Sequence, residues 1–166
     1  MNNFDTLFLD RDGVINNKIE GAYVRSFSEF KFIEGALHAV SKLSNVFNRI
    51  IIVTNQQGIG KGLMSEADLQ NLHSQMLENI FKYGGKIDRI YHCPHLEEAD
   101  CQCRKPRGGM IQQAVIDFPE IIIENSFLVG DSHSDIQAGE SMGLRTAKVD
   151  RNYTLLKWTT GLLSNS

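Results

Sequence analysis

The chain has 166 residues, enough to bury a hydrophobic core without disulfide support and too few for a multidomain machine. Seventeen Lys and Arg against twenty Asp and Glu leave a formal net charge of −3, so there is no overall positive field to hold nucleic acid or an anionic membrane, and any anion must be met locally. Hydrophobic residues make up 42% and charged residues 22%, which excludes a disordered or low-complexity chain.

In chain order, the first element is the apolar run TLFLD, which reads as a buried strand delivering Asp10 at its end. The N-terminus lacks the basic start and apolar core of a signal peptide, and no run reaches the roughly 18 apolar residues of a membrane span. A cytoplasmic location is therefore expected. A helix over about Gly35 to Ser44 precedes a second strand, RIIIVTN, which ends in Thr54 and Asn55. Gly58, Gly60 and Gly62 read as a tight loop, because their spacing does not match a nucleotide-binding fingerprint. From Ser65 to Gly84, Leu69, Leu72, Met76 and Ile80 recur at helical spacing; Ser65 with Asp68 suggests a capping box, and Gly84-Gly85 stops the helix. A strand near Arg89 to His92 and a helix over Gly109 to Phe118 follow. SFLVGD then makes a third strand ending in Asp131, with a helix over Ser134 to Met142 and a strand over Thr146 to Val149. Leu155, Leu156 and Trp158 are expected to cover the core, and Thr159 to Ser166 to form a frayed tail. Strand and helix alternate throughout, which predicts an α/β single domain over 1–166: an open parallel sheet in three layers, with ligands at the carboxyl ends of its strands.

Candidate chemistry sits at those strand ends. Asp10-Arg11-Asp12-Gly13 places two carboxylates one residue apart where the chain must turn, so that one can attack while the other handles protons. Thr54, Lys105, Gly130-Asp131 and Asp135 follow in order. Asp10 to Gly13 alone could be an Asp-rich turn closing a strand, and Thr54, Lys105 and Asp135 have ordinary readings as a packed β-branched residue, a solvated lysine and a helix-dipole acid; their joint occurrence is what points to a site.

All three cysteines fall within eleven positions. Cys93-Pro94-His95 and Cys101-Gln102-Cys103 make a Cys₃His set suited to tetrahedral Zn²⁺, with no open coordination position, and so to a structural clip on the loop 93–103. A Cys101–Cys103 disulfide is the alternative, but it would be strained and reduced in a cytosol. His92 reads as an ordinary strand residue.

The segments DRDGVIN, VTNQ, CRKP and VGDSHSD, in this order, resemble the four signature motifs of the haloacid dehalogenase-like phosphatases, over Thr6 to Asp150. The resemblance implies a Rossmann-like core, Asp10 as nucleophile forming an aspartyl-phosphate, and Asp12 as acid and then base. It also implies Thr54 and Lys105 on the phosphoryl oxygens, and Mg²⁺ held by Asp10, the Asp12 carbonyl and Asp131, with Asp135 in support. Arg11, Asn55, Arg104 and Ser132 are the expected substrate contacts. The arrangement C-P-H followed by C-x-C-R-K-P is similar to a narrower family, the D-glycero-D-manno-heptose 1,7-bisphosphate phosphatases, close to histidinol-phosphate phosphatases. There the arginine before the motif lysine, here Arg104, recognises the distal phosphate. The segment Lys18 to Tyr23 departs from that family's D-x-G-Y. Only about twenty residues separate Asp12 from the helix near Gly35, so no cap domain fits and the site should be open. The expected partner is a small phosphorylated metabolite, with no nucleic acid or membrane, and the protein is expected to be a monomer. From another class, a phospho-accepting receiver domain also places acids, Thr and Lys at strand ends.

Overall fold

In a computed structural model of the chain, residues 4–165 are described; residues 1–3 and Ser166, the last position of the expected tail, lie outside them. The strands β1 (Phe4–Leu9), β2 (Phe47–Asn55), β3 (Arg89–Cys93), β4 (Phe127–Gly130) and β5 (Arg145–Lys148) form a parallel sheet in the order β3-β2-β1-β4-β5. The first strand therefore lies at the centre, between the two others that end in expected site residues. Leu9 pairs with Ile52 on one side and Val129 on the other, so β1 and β4 finish nearly level while β2 runs on to Asn55.

Among the described residues six α-helices flank the strands: α1 (Ala36–Leu43), α2 (Gln57–Gly60), α3 (Glu66–Lys82), α4 (Gly109–Asp117), α5 (His133–Ser141) and, after the last strand, α6 (Leu155–Ser164). Alternation along the strands sends Leu7, Leu9, Ile50, Ile52 and Val129 toward α1, α3 and α6, and Phe8, Ile51, Val53 and Leu128 toward α4 and α5. That two-sided burial is why these strands read as continuous apolar runs. α3 begins at the anticipated capping box, with Ser65 Oγ accepting from the Asp68 N–H and Asp68 Oδ2 accepting from the Ser65 N–H. Among the described residues no helix is long and apolar enough to cross a membrane.

Two expectations need correction. The segment after Trp158 is helical as far as Ser164, not frayed. Leu155, Trp158 and Leu162 fall on one face and pack on the core, Trp158 lies 5.8 Å from the Phe127 ring, and Thr159 is fully buried with its hydroxyl donating to the Leu155 carbonyl. Tertiary burial there outweighs the poor helix propensity of Thr-Thr-Gly. The glycine-rich stretch begins as the single turn α2 before reversing at Gly62. Gly60 is needed for close approach, since a Cβ there would stand 2.6 Å from the Pro94 carbonyl oxygen of the cysteine loop.

At the opposite end of the sheet from the motifs, Asp5 is almost fully buried and accepts from the Ile122 N–H, Asn48 Nδ2, Thr6 Oγ1 and Arg49 Nη1. Burial would raise its pKa, but those donors and the Arg49 charge outweigh it and hold the carboxyl below its ordinary value. Asp5→Ala, which strands the Ile122 N–H, should cost about 2–3 kcal/mol at pH 7. Because the folded-state pKa is the lower one, this contribution is complete above the unfolded value and is lost as pH falls through the folded value. Urea midpoints of wild type and variant should therefore converge in acid; a gap constant with pH would show that Asp5 acts only by packing.

Candidate active site

Asp10 follows β1 directly, its N–H donating to the Val129 carbonyl at 3.0 Å. The chain turns at Gly13, which has φ +87°, and a Cβ there would overlap the Asp131 carboxylate. Glycine is thus what lets the end of β4 approach the first acidic pair. Asp12 Oδ1 accepts from Arg11 Nη2 and Asn16 Nδ2, both at 2.9 Å, and Oδ2 accepts from Gln56 Nε2 at 3.0 Å. Burial would raise the Asp12 pKa, but the Arg11 charge and these hydrogen bonds outweigh it, and the group is held as a carboxylate.

Lys105, 95 positions from Asp10, reaches the same point. Its Nζ lies 3.0 Å from Asp10 Oδ1 and 2.5 Å from Asp135 Oδ1, and donates to the Val53 carbonyl at 2.8 Å. Asn55 holds the Lys105 backbone from both sides, its Oδ1 accepting from the N–H and its Nδ2 donating to the carbonyl. Asp135 Oδ2 accepts from the Asp131 and Ser132 N–H groups and from the Ser132 hydroxyl, so one buried carboxylate joins the start of α5 to Lys105. Lys105 and Ser132 hold Asp135 below its usual value against the effect of burial. Asp10 moves the other way: burial drives its carboxyl well above the ordinary range, opposed by Lys105 and reinforced by Asp135, Asp12 and Asp131. Lys105 is shared between Asp10 and Asp135, so one buried ammonium meets two carboxylates, while Asp131 meets Lys18 from the cleft wall.

Asp10, Asp12, Asn55, Lys105, Asp131, Ser132 and Asp135 line one open cleft of about 420 Å³, whose far wall is the segment from Lys18 to Val24. Thr54 is fully buried beside it, its Oγ1 accepting from the Gln56 amide that also holds Asp12. Ser132 faces the cleft with its hydroxyl engaged in a second capping box, at the start of α5. Arg11, expected to touch substrate, does not line the cleft. It alternates with Asp10 and Asp12, turns inward, and is completely buried against Phe30 and His73. Arg104 lines a neighbouring cleft of about 440 Å³, which shares Asn55, Lys105 and Ser134 with the first.

Three residues escaped the sequence reading. Asn16 and Gln56 orient Asp12; both lie inside the quoted motifs, one turn after the acids and one step beyond β2, and that proximity was the available signal. Lys18, whose Nζ contacts Asp131 Oδ2 at 2.6 Å, carries no local signal because the pairing is made by the fold.

Three observations bear on metals. Asp131 Oδ1 is buried with no hydrogen-bond partner among the described residues, and the carboxylates of Asp10, Asp131 and Asp135 gather within 4.8 Å. Since Asp135 is engaged by Lys105 and backbone N–H groups, Asp10 and Asp131 fit a hard cation such as Mg²⁺. Separately, the Cys93, Cys101 and Cys103 sulfurs and His95 Nδ1 also lie within 4.8 Å of one another, with sulfur–sulfur separations of 3.0–3.6 Å. No disulfide forms, and this soft donor set fits tetrahedral zinc. His92 stays outside it, paired with Glu66 at 2.7 Å.

Receiver domains share the open parallel sheet but use the order 2-1-3-4-5, whereas here β1 is central and carries both leading acids. Fold and site together define a haloacid dehalogenase-like phosphatase. Residues 5–157 match the Polynucleotide kinase 3 phosphatase family, and the chain belongs to that family. Among its relatives, the D-glycero-alpha-D-manno-heptose-1,7-bisphosphate 7-phosphatase of Campylobacter jejuni is 42% identical over 140 residues, spanning 84% of this chain and 78% of the relative. The D-glycero-beta-D-manno-heptose-1,7-bisphosphate 7-phosphatase of Helicobacter pylori is 37% identical over 158 residues, spanning 95% and 87%. The crystal structure of the D,D-heptose 1,7-bisphosphate phosphatase from B. bronchiseptica, complexed with magnesium and phosphate, superposes with a TM-score of 0.83 at 27% identity, covering 98% of this chain and 99% of that one.

Proposed function

We propose that this chain is a Mg²⁺-dependent phosphomonoesterase that removes the 7-phosphate of D-glycero-D-manno-heptose 1,7-bisphosphate through an aspartyl-phosphate on Asp10. The observation that carries the reading is the convergence of Asp10, Asp12, Lys105 and Asp131 on one cleft, in a chain whose relatives are named for this reaction. Asp10, the Asp12 carbonyl and Asp131 would hold Mg²⁺, which supplies the positive charge that lets a carboxylate approach a phosphate dianion. Asp10 attacks phosphorus in line, its new O–P bond forming as the bond to the sugar oxygen breaks, and Asp12 gives that alkoxide a proton. Water then attacks the aspartyl-phosphate, Asp12 takes its proton, inorganic phosphate departs and Asp10 is regenerated. Lys105 holds the non-bridging oxygens, with Asn55 fixing the Lys105 backbone; Thr54, expected to share that task, is fully buried beside the cleft and instead accepts from the Gln56 amide that orients Asp12. The three donors on Asp12 favour its base form, and the approach of an anionic phosphate raises its proton affinity for the first step.

Two adjoining clefts sharing Asn55, Lys105 and Ser134 suit a substrate with a phosphate at each end: the reacting group lies beside Asp10 and the distal one beside Arg104. Phosphate release should be measured on both heptose bisphosphate anomers, other sugar phosphates and histidinol phosphate, with a bisphosphate preferred. Arg104→Ala should raise KM for the bisphosphate about tenfold or more while changing turnover of a small monophosphate little. Equal effects on both would remove Arg104 from distal-phosphate recognition.

A further inference from the structure

We propose that His73 is a positioning residue for the phosphatase reaction: it anchors Arg11, which in turn aims the Asp12 carboxylate. This inference rests on the role of Asp12 given above. His73 lies on the inward face of α3 with Leu69, Leu72, Met76 and Ile80, 62 positions from Arg11, and its Nε2 stands 3.0 Å from Arg11 Nη1. A guanidinium only donates, so Nε2 accepts and the ring proton sits on Nδ1. Burial, then the Arg11 and His92 charges, press the His73 pKa down to about 3 against the pull of Asp12, so the acceptor is present at any working pH.

Arg11 has few other anchors. It is completely buried, its Nε has no partner among the described residues, and its two terminal nitrogens go one to His73 and one to Asp12, with the Phe30 ring 5.8 Å from Cζ. A buried guanidinium that loses one of two anchors rotates to recover an acceptor, and the acceptor within reach is Asp12 itself. Asp12 would then lose the alignment in which Oδ1 is shared by Arg11 and Asn16 and Oδ2 is held by Gln56. The role belongs to this reaction because proton transfer to the leaving group depends on where that carboxyl points.

The test compares kcat/KM for heptose 1,7-bisphosphate, whose alkoxide needs a proton, and for p-nitrophenyl phosphate, whose leaving group does not. In kcat/KM, which ends at departure of the leaving group and so excludes the later water attack that Asp12 serves for both esters, His73→Leu should lose about tenfold on the sugar ester and less than about threefold on the aryl ester. His73→Gln, whose amide oxygen falls near the place of Nε2, should recover to within about threefold of wild type. His73→Asn, too short to reach Arg11, should not, and this pair decides the matter should the Leu variant fail to fold. Equal losses on both esters, or Gln and Asn variants of equal activity, would overturn the proposal. A wild-type protein inactive on both esters would remove the phosphatase reading, and the proposal with it.

Discussion

Asp10→Asn is expected to abolish turnover of every phosphate ester, by at least ~10⁴-fold in kcat, because no other group can form the covalent intermediate. The same change should leave the fold intact or stabilise it. Asp10 is buried among Asp12, Asp131 and Asp135, and the one buried ammonium it touches also serves Asp135 at 2.5 Å, so a neutral amide of equal size relieves repulsion. The measurement is a pair: steady-state phosphate release and a thermal melt. A melting temperature at or above wild type with no turnover is the expected outcome. Residual turnover within tenfold of wild type would exclude Asp10 as nucleophile, and a large loss of stability would show that its charge supports the fold.

Loss of the proposed zinc clip on Cys93, His95, Cys101 and Cys103 should have the second largest effect. Of its four ligands only Cys93 is fully buried, and the residues between Leu96 and Asp100 are exposed or nearly so, which leaves the loop little apolar material of its own. What secures it is the four-ligand cluster, Arg107 donating to the Asp100 carboxylate and the Cys101 carbonyl, and Gly109 packed against the Gln102 carbonyl with no room for a Cβ. Cys103 is followed directly by Arg104 and Lys105, so disorder at the clip reaches the ammonium that contacts Asp10 and Asp135. Metal analysis should find about one zinc per chain, and Cys101→Ser or Cys103→Ser should lower both zinc content and melting temperature. Turnover should fall by about two orders of magnitude through misplacement of Lys105. A zinc-free preparation with full activity and unchanged stability would refute the clip.

The motifs were legible because parallel strands bury both faces. A run such as RIIIVTN is apolar from Ile50 to Val53 and turns polar only at its carboxyl end, so the residue types there advertise themselves. The cysteine cluster was legible for another reason, since its ligands lie within eleven positions and the spacing is local. Arg11 shows the limit. It is among the expected substrate contacts, yet the alternation that aims Asp10 and Asp12 into the cleft sends the intervening side chain into the core. Lys18, His73 and the helical continuation past Trp158 were hidden similarly, because their partners are Asp131, Arg11 and the underside of the sheet, each supplied by remote sequence.

The chain's own order of residues was sufficient for the alternation of strands and helices, the identity of the acids and lysine at strand ends, and the metal-binding character of the loop, because each depends on short-range periodicity or spacing. Tertiary structure alone decided which carboxylate receives Lys105, which amides orient Asp12, and that Arg104 faces a second cleft beside the first. Those outcomes depend on the sheet order, which places β1 between β2 and β4 and brings Lys105 within 3.0 Å of Asp10, 95 positions away, inside a buried environment where such distances set charge and proton affinity.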